Sequence, residues 1–232
     1  MLKTKQFRYH LDNLGYLVYG RENALAIDGG AFTAILSFLK ENALRLLYVA
    51  NTHDHIDHTS GNAALIDKAN ALFLPNEKIC DRTIELEGET IKVYHTPGHT
   101  RNSLCFHHDD VLITGDTLFN GTIGNCFSGD LKGFYHSMKK IMSLPADTVI
   151  YAGHDYVEDA LVFAKRLEPG NKFIETYRKN YSSSHVYSRL ADELRVNPYL
   201  RFNEPGIIGL LKKNKLPTKS EWQRWQSLMT ID

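Results

Sequence analysis

NTHDHIDHTSGN, residues 51–62, sets three histidines and two aspartates within positions 53–58. Imidazoles and carboxylates at that density are the side chains that ligate metals, and their spacing carries geometry. In an extended segment residues i and i+2 face the same way, so His53 and His55 share one target. Asp57 and His58 are adjacent and cannot both join them on that face. Thr59, Ser60 and Gly61 then offer capping chemistry ahead of a helix expected over 62–68. The stretch reads as a strand end that turns into a helix, with two ligands aimed one way and two another. That arrangement suits two neighbouring cations better than one.

Further donors follow other predicted strands. HTPGHT (95–100) places His99 in a Pro-Gly turn, ITGDTLF (113–119) places Asp116 just after a strand, and YAGHDY (151–156) does the same for His154. Loops after strands are where a rigid sheet presents functional side chains. With Asp116 shared, His53, His55, Asp57, His58, His99, Asp116 and His154 give each of two ions four protein ligands. Paired ions in hydrolytic sites lie about 3.5–4 Å apart, within reach of one bridging carboxylate. A donor set without thiolate suits two divalent ions, zinc first, with iron or manganese as alternatives. His10, His95, His107, His108, His136 and His185 read as turn or surface residues, and Asp28, ahead of Gly29-Gly30, as a turn aspartate.

Around these motifs the chain changes texture once. Short β-branched and aromatic runs at 16–19, 25–27, 46–50, 71–74, 91–94, 104–107, 111–114 and 149–151 predict strands, interrupted by helical spacing over 32–41, 62–68 and 131–142. After residue 156 the pattern is helical throughout, over 157–167, 172–181, 190–194, 206–213 and 220–228. The expected division is therefore a metal-binding domain over 1–156 and a small all-helical domain over 157–232. The 232 residues carry no formal net charge, which argues against a nucleic-acid partner, and no apolar run reaches the length of a membrane span. Three cysteines without CxxC spacing predict a reducing, cytoplasmic setting.

The HxHxDH stretch at 53–58, followed in order by His99, Asp116 and His154, resembles the metallo-β-lactamase superfamily. That resemblance implies an α/β (α+β) fold, the αββα sandwich, with the metal site at one edge. Within the superfamily HTPGHT, TGDTLF, GHDY, LEPGN (167–171) and LADELRVNPYLR (190–201) are similar to glyoxalase II, the hydroxyacylglutathione hydrolases. The resemblance implies that His53, His55 and His99 with Asp116 hold one ion, and Asp57, His58 and His154 with Asp116 the other. It further implies hydrolysis of an S-(2-hydroxyacyl)glutathione such as S-lactoylglutathione by a hydroxide shared between the ions, with Asp57 orienting it and accepting its proton.

Glutathione contacts are implied for Tyr156, for Lys212 and Lys215, and for the loop carrying Asn125 and Phe127. There the family commonly has Lys or Arg, a residue, an aromatic and Glu, where this chain has Asn125, Cys126, Phe127 and Ser128. The expected assembly is a monomer, and the expected partner a small thioester. The competing expectations are a persulfide dioxygenase-like mono-iron enzyme and a hydrolase of a non-glutathione thioester.

Overall fold

The computed structural model describes residues 1–231. Strands β1 (Lys3–Tyr9), β2 (Asn13–Tyr19) and β3 (Asn23–Ile27) lead into helix α1 (Phe32–Glu41) and β4 (Arg45–Ala50). Helices α2 (Ile56–Thr59) and α3 (Asn62–Ala69), the short β5 (Leu72–Phe73) and α4 (Asn76–Ile79) follow. Strands β6 (Thr83–Leu86), β7 (Glu89–His95), β8 (Leu104–His108) and β9 (Val111–Gly115) precede α5 (Leu131–Met142) and β10 (Val149–Ala152). Then come α6 (Val157–Leu167), α7 (Phe173–Asn180), β11 (Ser188–Arg189), α8 (Leu190–Val196), α9 (Pro205–Lys213) and α10 (Glu221–Leu228).

The strands form two sheets, one in the order β1-β2-β3-β4-β5 and one in the order β11-β10-β9-β8-β7-β6. Because successive strand residues point to opposite faces, one strand can serve two cores. Leu14, Tyr16 and Val18 of β2 with Leu25 and Ile27 of β3 meet Phe106, Ile113 and Tyr151 of the other sheet in a core between the sheets. The alternate residues Leu17, Ala24 and Ala26 pack outward with Ile35 and Leu39 of α1 and Leu65 of α3. On the far side Cys105, Leu112 and Ile150 pack outward with Phe134, Met138 and Ile141 of α5, Leu211 of α9 and Trp225 of α10. The result is the helix–sheet–sheet–helix layering. Each fully buried large apolar side chain contributes about 1.5–3 kcal/mol, so the doubled use of β2, β3, β8 and β9 holds the sandwich together.

The predicted strands and longer helices are all present. β1 and β6 escaped the pattern because they lie at sheet edges, where KTKQFRY and TIEL are half polar. α2 and α4 are single turns, too short to show a helical period. Three expectations need correction. Residues after 156 are not wholly helical, since β11 pairs antiparallel with β10 and borders the second sheet. Two residues, Ser188 and Arg189, carry no period that sequence could reveal. The capping expectation for Thr59, Ser60 and Gly61 also fails, because α2 intervenes: Thr59 Oγ1 donates back to the His55 carbonyl at 3.2 Å, and Gly61 precedes α3 with no side-chain cap. His108 is buried rather than superficial, its Nε2 lying 2.8 Å from Thr4 Oγ1. Among the described residues no helix is long and apolar enough to cross a membrane.

Candidate metal centre

Strand direction brings the ligands together. β3 and β4 run parallel in one sheet. In the other, β9 and β10 run parallel, and β8 lies antiparallel between β7 and β9, so β7, β9 and β10 all point the same way. Their ends deliver His53, His55, Asp57 and His58 after β4, His99 after β7, Asp116 after β9 and His154 after β10. The two sheets are stitched at this edge by Leu14 N donating to the Gly153 carbonyl at 2.8 Å and Leu104 N donating to the Thr52 carbonyl at 2.7 Å.

The donors gather in two groups, His53, His55, His99 and Asp116 in one, and Asp57, His58 and His154 in the other, each within 4.8 Å. In the first, His55 Nδ1 lies 3.0 Å from His53 Nε2 and 3.1 Å from His99 Nε2, and Asp116 Oδ2 lies 3.4 Å from His99 Nε2. In the second, His58 Nε2 is 3.2 Å from His154 Nε2 and 3.5 Å from Asp57 Oδ2. Asp116 faces both, with Oδ1 at 3.3 Å from His58 Nε2 and Oδ2 at 3.6 Å from His154 Nε2. Ligands about 2.1 Å from a tetrahedral ion sit roughly 3.4 Å from one another, and the separations in the first group, from 3.0 Å between His53 and His55 to 3.9 Å between His53 and Asp116, bracket that value.

The outer ring nitrogens settle which nitrogen faces inward. His58 Nδ1 donates to Asp28 Oδ2 at 3.0 Å, His154 Nδ1 to Asp12 Oδ1 at 2.9 Å, and His99 Nδ1 to the Asn125 carbonyl at 3.0 Å. Carboxylates and carbonyls only accept, so each proton sits outside and each Nε2 lone pair points in. His53 Nδ1 meets Thr52 Oγ1 at 3.1 Å in the same manner. Asp57 is held by Asn13, whose amide donates to Oδ2 at 2.9 Å.

Sequence reasoning passed over Asp12, Asn13 and Thr52, and it placed Asp28 as an ordinary turn residue. Asp28 does have a positive φ of 53°. It is also fully buried and accepts from Thr52 N at 2.7 Å and Thr52 Oγ1 at 2.6 Å as well as from His58. Its place directly after β3, like that of Asp116 after β9, was the available signal.

The electrostatics are those of a cation site. Burial pushes the His53 pKa down to about 4, with His58 adding to the effect. Burial also opposes charge on His58, but Asp28 and Asp116 outweigh it and hold that pKa up at about 11. Burial would raise Asp116, yet His58 beside it, with His53 and His154, holds it far below the usual carboxylate range. Without a cation, the single positive charge on His58 faces three carboxylates, Asp28 at Nδ1 and Asp116 and Asp57 at Nε2. Asp116 Oδ1 is buried with no hydrogen-bond partner, and a Cβ on Gly153 would stand 2.2 Å from it. Carboxylate oxygens are not left orphaned at such a point without a partner, and divalent metal fits this donor set.

Comparison with known proteins agrees with the geometry. Residues 11–80 and 73–154 match the metallo-beta-lactamase superfamily, and residues 155–230 match the hydroxyacylglutathione hydrolase C-terminus. Hydroxyacylglutathione hydrolase from Pseudoalteromonas translucida (strain TAC 125) is 30% identical, the alignment covering 98% of this chain and 96% of that protein. This chain belongs to the hydroxyacylglutathione hydrolase family. The protein of that name from Brucella ovis is 32% identical, with 94% of each chain covered. Among solved structures, ETHE1 from Myxococcus xanthus shares the fold, with a TM-score of 0.69 at 22% identity over 97% of this chain and 99% of that one.

Beside the donors of this family member stand side chains that are more exposed. Tyr156 is 37% exposed, stacks on His154 with ring centroids 5.0 Å apart and meets Phe119 edge-on at 5.0 Å. Burial, then Asp12, Asp116 and Asp57, push its pKa up to about 12, so its hydroxyl stays a neutral donor. Phe127 is 68% exposed, with its ring 5.2 Å from His99 and 5.9 Å from His55. Asn125 enters the centre through its carbonyl, while the residue itself is exposed. Lys212 and Lys215 are exposed at and just after the end of α9, and among the described residues their amines make no hydrogen bond or ion pair and no contact with the donors. Leu210 and Leu216, which bracket them, pack against the same core as Cys126.

Proposed function

We propose that this chain hydrolyses the thioester of an S-(2-hydroxyacyl)glutathione, S-lactoylglutathione first, to glutathione and the 2-hydroxy acid. The observation that carries the reading is one chain that joins a paired seven-donor centre to a match with the hydroxyacylglutathione hydrolase C-terminus. Two divalent ions, zinc in the first place and iron or manganese otherwise, would supply an acidified water and a polarised thioester carbonyl.

The residues of the chain do the rest. Asp57 is held by Asn13 and is kept below the usual carboxylate range, burial being outweighed by that hydrogen bond and by His58. It orients the attacking water and takes its proton. Tyr156 donates its neutral hydroxyl to the thiol carrier, and Phe127 covers His55 and His99 with an apolar face. Lys212 and Lys215 meet glutathione carboxylates, so that residues 157–232 act as the substrate-binding part. A thiol of pKa roughly 8.5 leaves as thiolate, and no separate general acid is needed. Free Cys80, Cys105 and Cys126 suit a reducing cytoplasm, and we take the working unit to be a monomer.

The test is to follow the thioester absorbance of S-lactoylglutathione with the metal-loaded protein. Metal-dependent turnover is expected. Oxygen uptake with glutathione persulfide and no thioester cleavage would replace the reading with a dioxygenase. Faster cleavage of another acyl thioester would keep the chemistry and change the thiol carrier.

A further inference from the structure

The loop that leaves β9 touches the metal centre twice. It starts at Asp116 and, nine residues on, the Asn125 carbonyl accepts from His99 Nδ1. Between these points it folds into a turn, with Phe119 N donating to the Thr122 carbonyl at 3.0 Å and Leu118 bridging Ile123. Gly121 sits in that turn at φ 91°, and a Cβ there would lie 3.1 Å from Ala160 Cβ. Side chains other than glycine adopt such a φ only with strain.

The turn is gripped from the C-terminal part of the chain. Glu193, on α8, is fully buried and accepts from Gly121 N through both oxygens, at 3.1 and 2.9 Å. Asn197 donates one amide bond to the Thr122 carbonyl at 2.9 Å and another to Glu193 Oε2 at 2.9 Å. The Tyr177 hydroxyl donates to Glu193 Oε1 at 2.6 Å. Asn120 is tied to Ser188 Oγ at 2.7 Å. A carboxylate buried among apolar residues is costly, and an apolar residue would fill the space at less cost. What an apolar residue cannot do is hold the Gly121 N–H.

We propose that Glu193, with Asn197, is a positioning residue for the metal centre: it fixes the Gly121–Thr122 turn and thereby the Asn125 carbonyl that aims His99 at its ion. The proposal rests on the metal-centre reading above and gives the C-terminal segment a task in the chemistry of the first domain, apart from any contact with substrate. Partners that orient a ligating histidine are typically worth 10–100-fold in metal affinity when removed. One step further out, about tenfold is expected.

The experiment titrates metal-free protein with cobalt(II), following visible absorption and competition with a chromophoric chelator, and needs no substrate. Glu193→Ala should weaken binding at the His53, His55 and His99 site about tenfold and leave the other site near its parent value. Glu193→Gln should restore most of the loss, because its amide oxygen can still accept from Gly121 N while its NH2 turns to the Tyr177 oxygen. Tyr177→Phe strips a bond from the same carboxylate without touching the loop, so it should lower the melting temperature and spare the affinity. If Glu193→Ala does not fold, Asn197→Ala frees the Thr122 carbonyl and should weaken the same site about threefold. Two ions bound as tightly as in the parent by Glu193→Ala or Asn197→Ala would overturn the proposal alone, as would an equal loss in Tyr177→Phe. A parent that binds no cobalt would overturn the metal-centre reading and this proposal together.

Discussion

The metal centre and its rim are built by opposite rules. At the centre, His53, His58, His99, Asp116 and His154 are buried and His55 and Asp57 half-buried, and four of the five imidazoles have the outer nitrogen held by a second residue. The side chains proposed to form a rim for substrate, Phe127, Asn125, Lys212 and Lys215, are exposed, and the two lysine amines are unpaired among the described residues. Position is over-determined at the buried donors and left free at these exposed side chains. A buried donor that drifts loses its ion, since nothing else can replace the interaction. An exposed lysine that drifts exchanges a carboxylate for water at little cost. Substitutions at the centre should therefore act on turnover and metal, and substitutions at the rim on KM.

The largest effect is expected from Asp57→Asn, which keeps the shape of the side chain and removes its charge and proton acceptance. A fall in kcat of at least about a hundredfold should appear in steady-state assays, the scale of a lost acid–base or electrostatic partner. Near-normal turnover would move Asp57 from the centre to the rim class. Next is Asp28→Ala, which touches no ion and no substrate yet frees His58 Nδ1. Affinity at the site of Asp57, His58 and His154 should drop about 10–100-fold in a chelator competition. Thr52 N would also be left unpaired, so the melting temperature should fall. Retained affinity would show that the held imidazoles do not distinguish the two regions.

The rim predictions are smaller. Replacing Lys212 and Lys215 together with Ala should raise KM for S-lactoylglutathione up to about tenfold, the scale of one charge-assisted hydrogen bond removed from an open site. Metal content and melting temperature should stay at parent values. Unchanged kinetics would mark both lysines as solvated surface. The smallest effect is a gain: Asn125→Lys, alone or with Phe127→Tyr, should raise kcat/KM for glutathione thioesters about fivefold, roughly 1 kcal/mol, mainly through KM. Because the Asn125 carbonyl, not its side chain, holds His99, the substitution should leave metal affinity untouched. A loss of metal in that variant would break the separation of centre from rim at the residue where they meet.

Much of this protein was legible before any coordinates. Ligand chemistry resides in residue identity, and His53, His55, Asp57 and His58 are close in space because they are close in sequence. His99, Asp116 and His154 could be added because each follows a short β-branched and aromatic run that turn residues bound. The helices over 32–41, 131–142 and 157–167 were equally plain, each carrying an apolar face. Only the tertiary structure revealed what holds those ligands still. His58 finds Asp28 across 30 positions, His99 finds the Asn125 carbonyl across 26, and His154 finds Asp12 across 142. A hydrogen bond depends on where two atoms end up, and the sequence spacing of such partners follows no period. A backbone carbonyl, moreover, is present at every position and carries no letter of its own. The burial of Glu193 was hidden for the same reason: between half-buried neighbours on a short helix it reads as a solvated charge, until the Gly121 turn is folded against it.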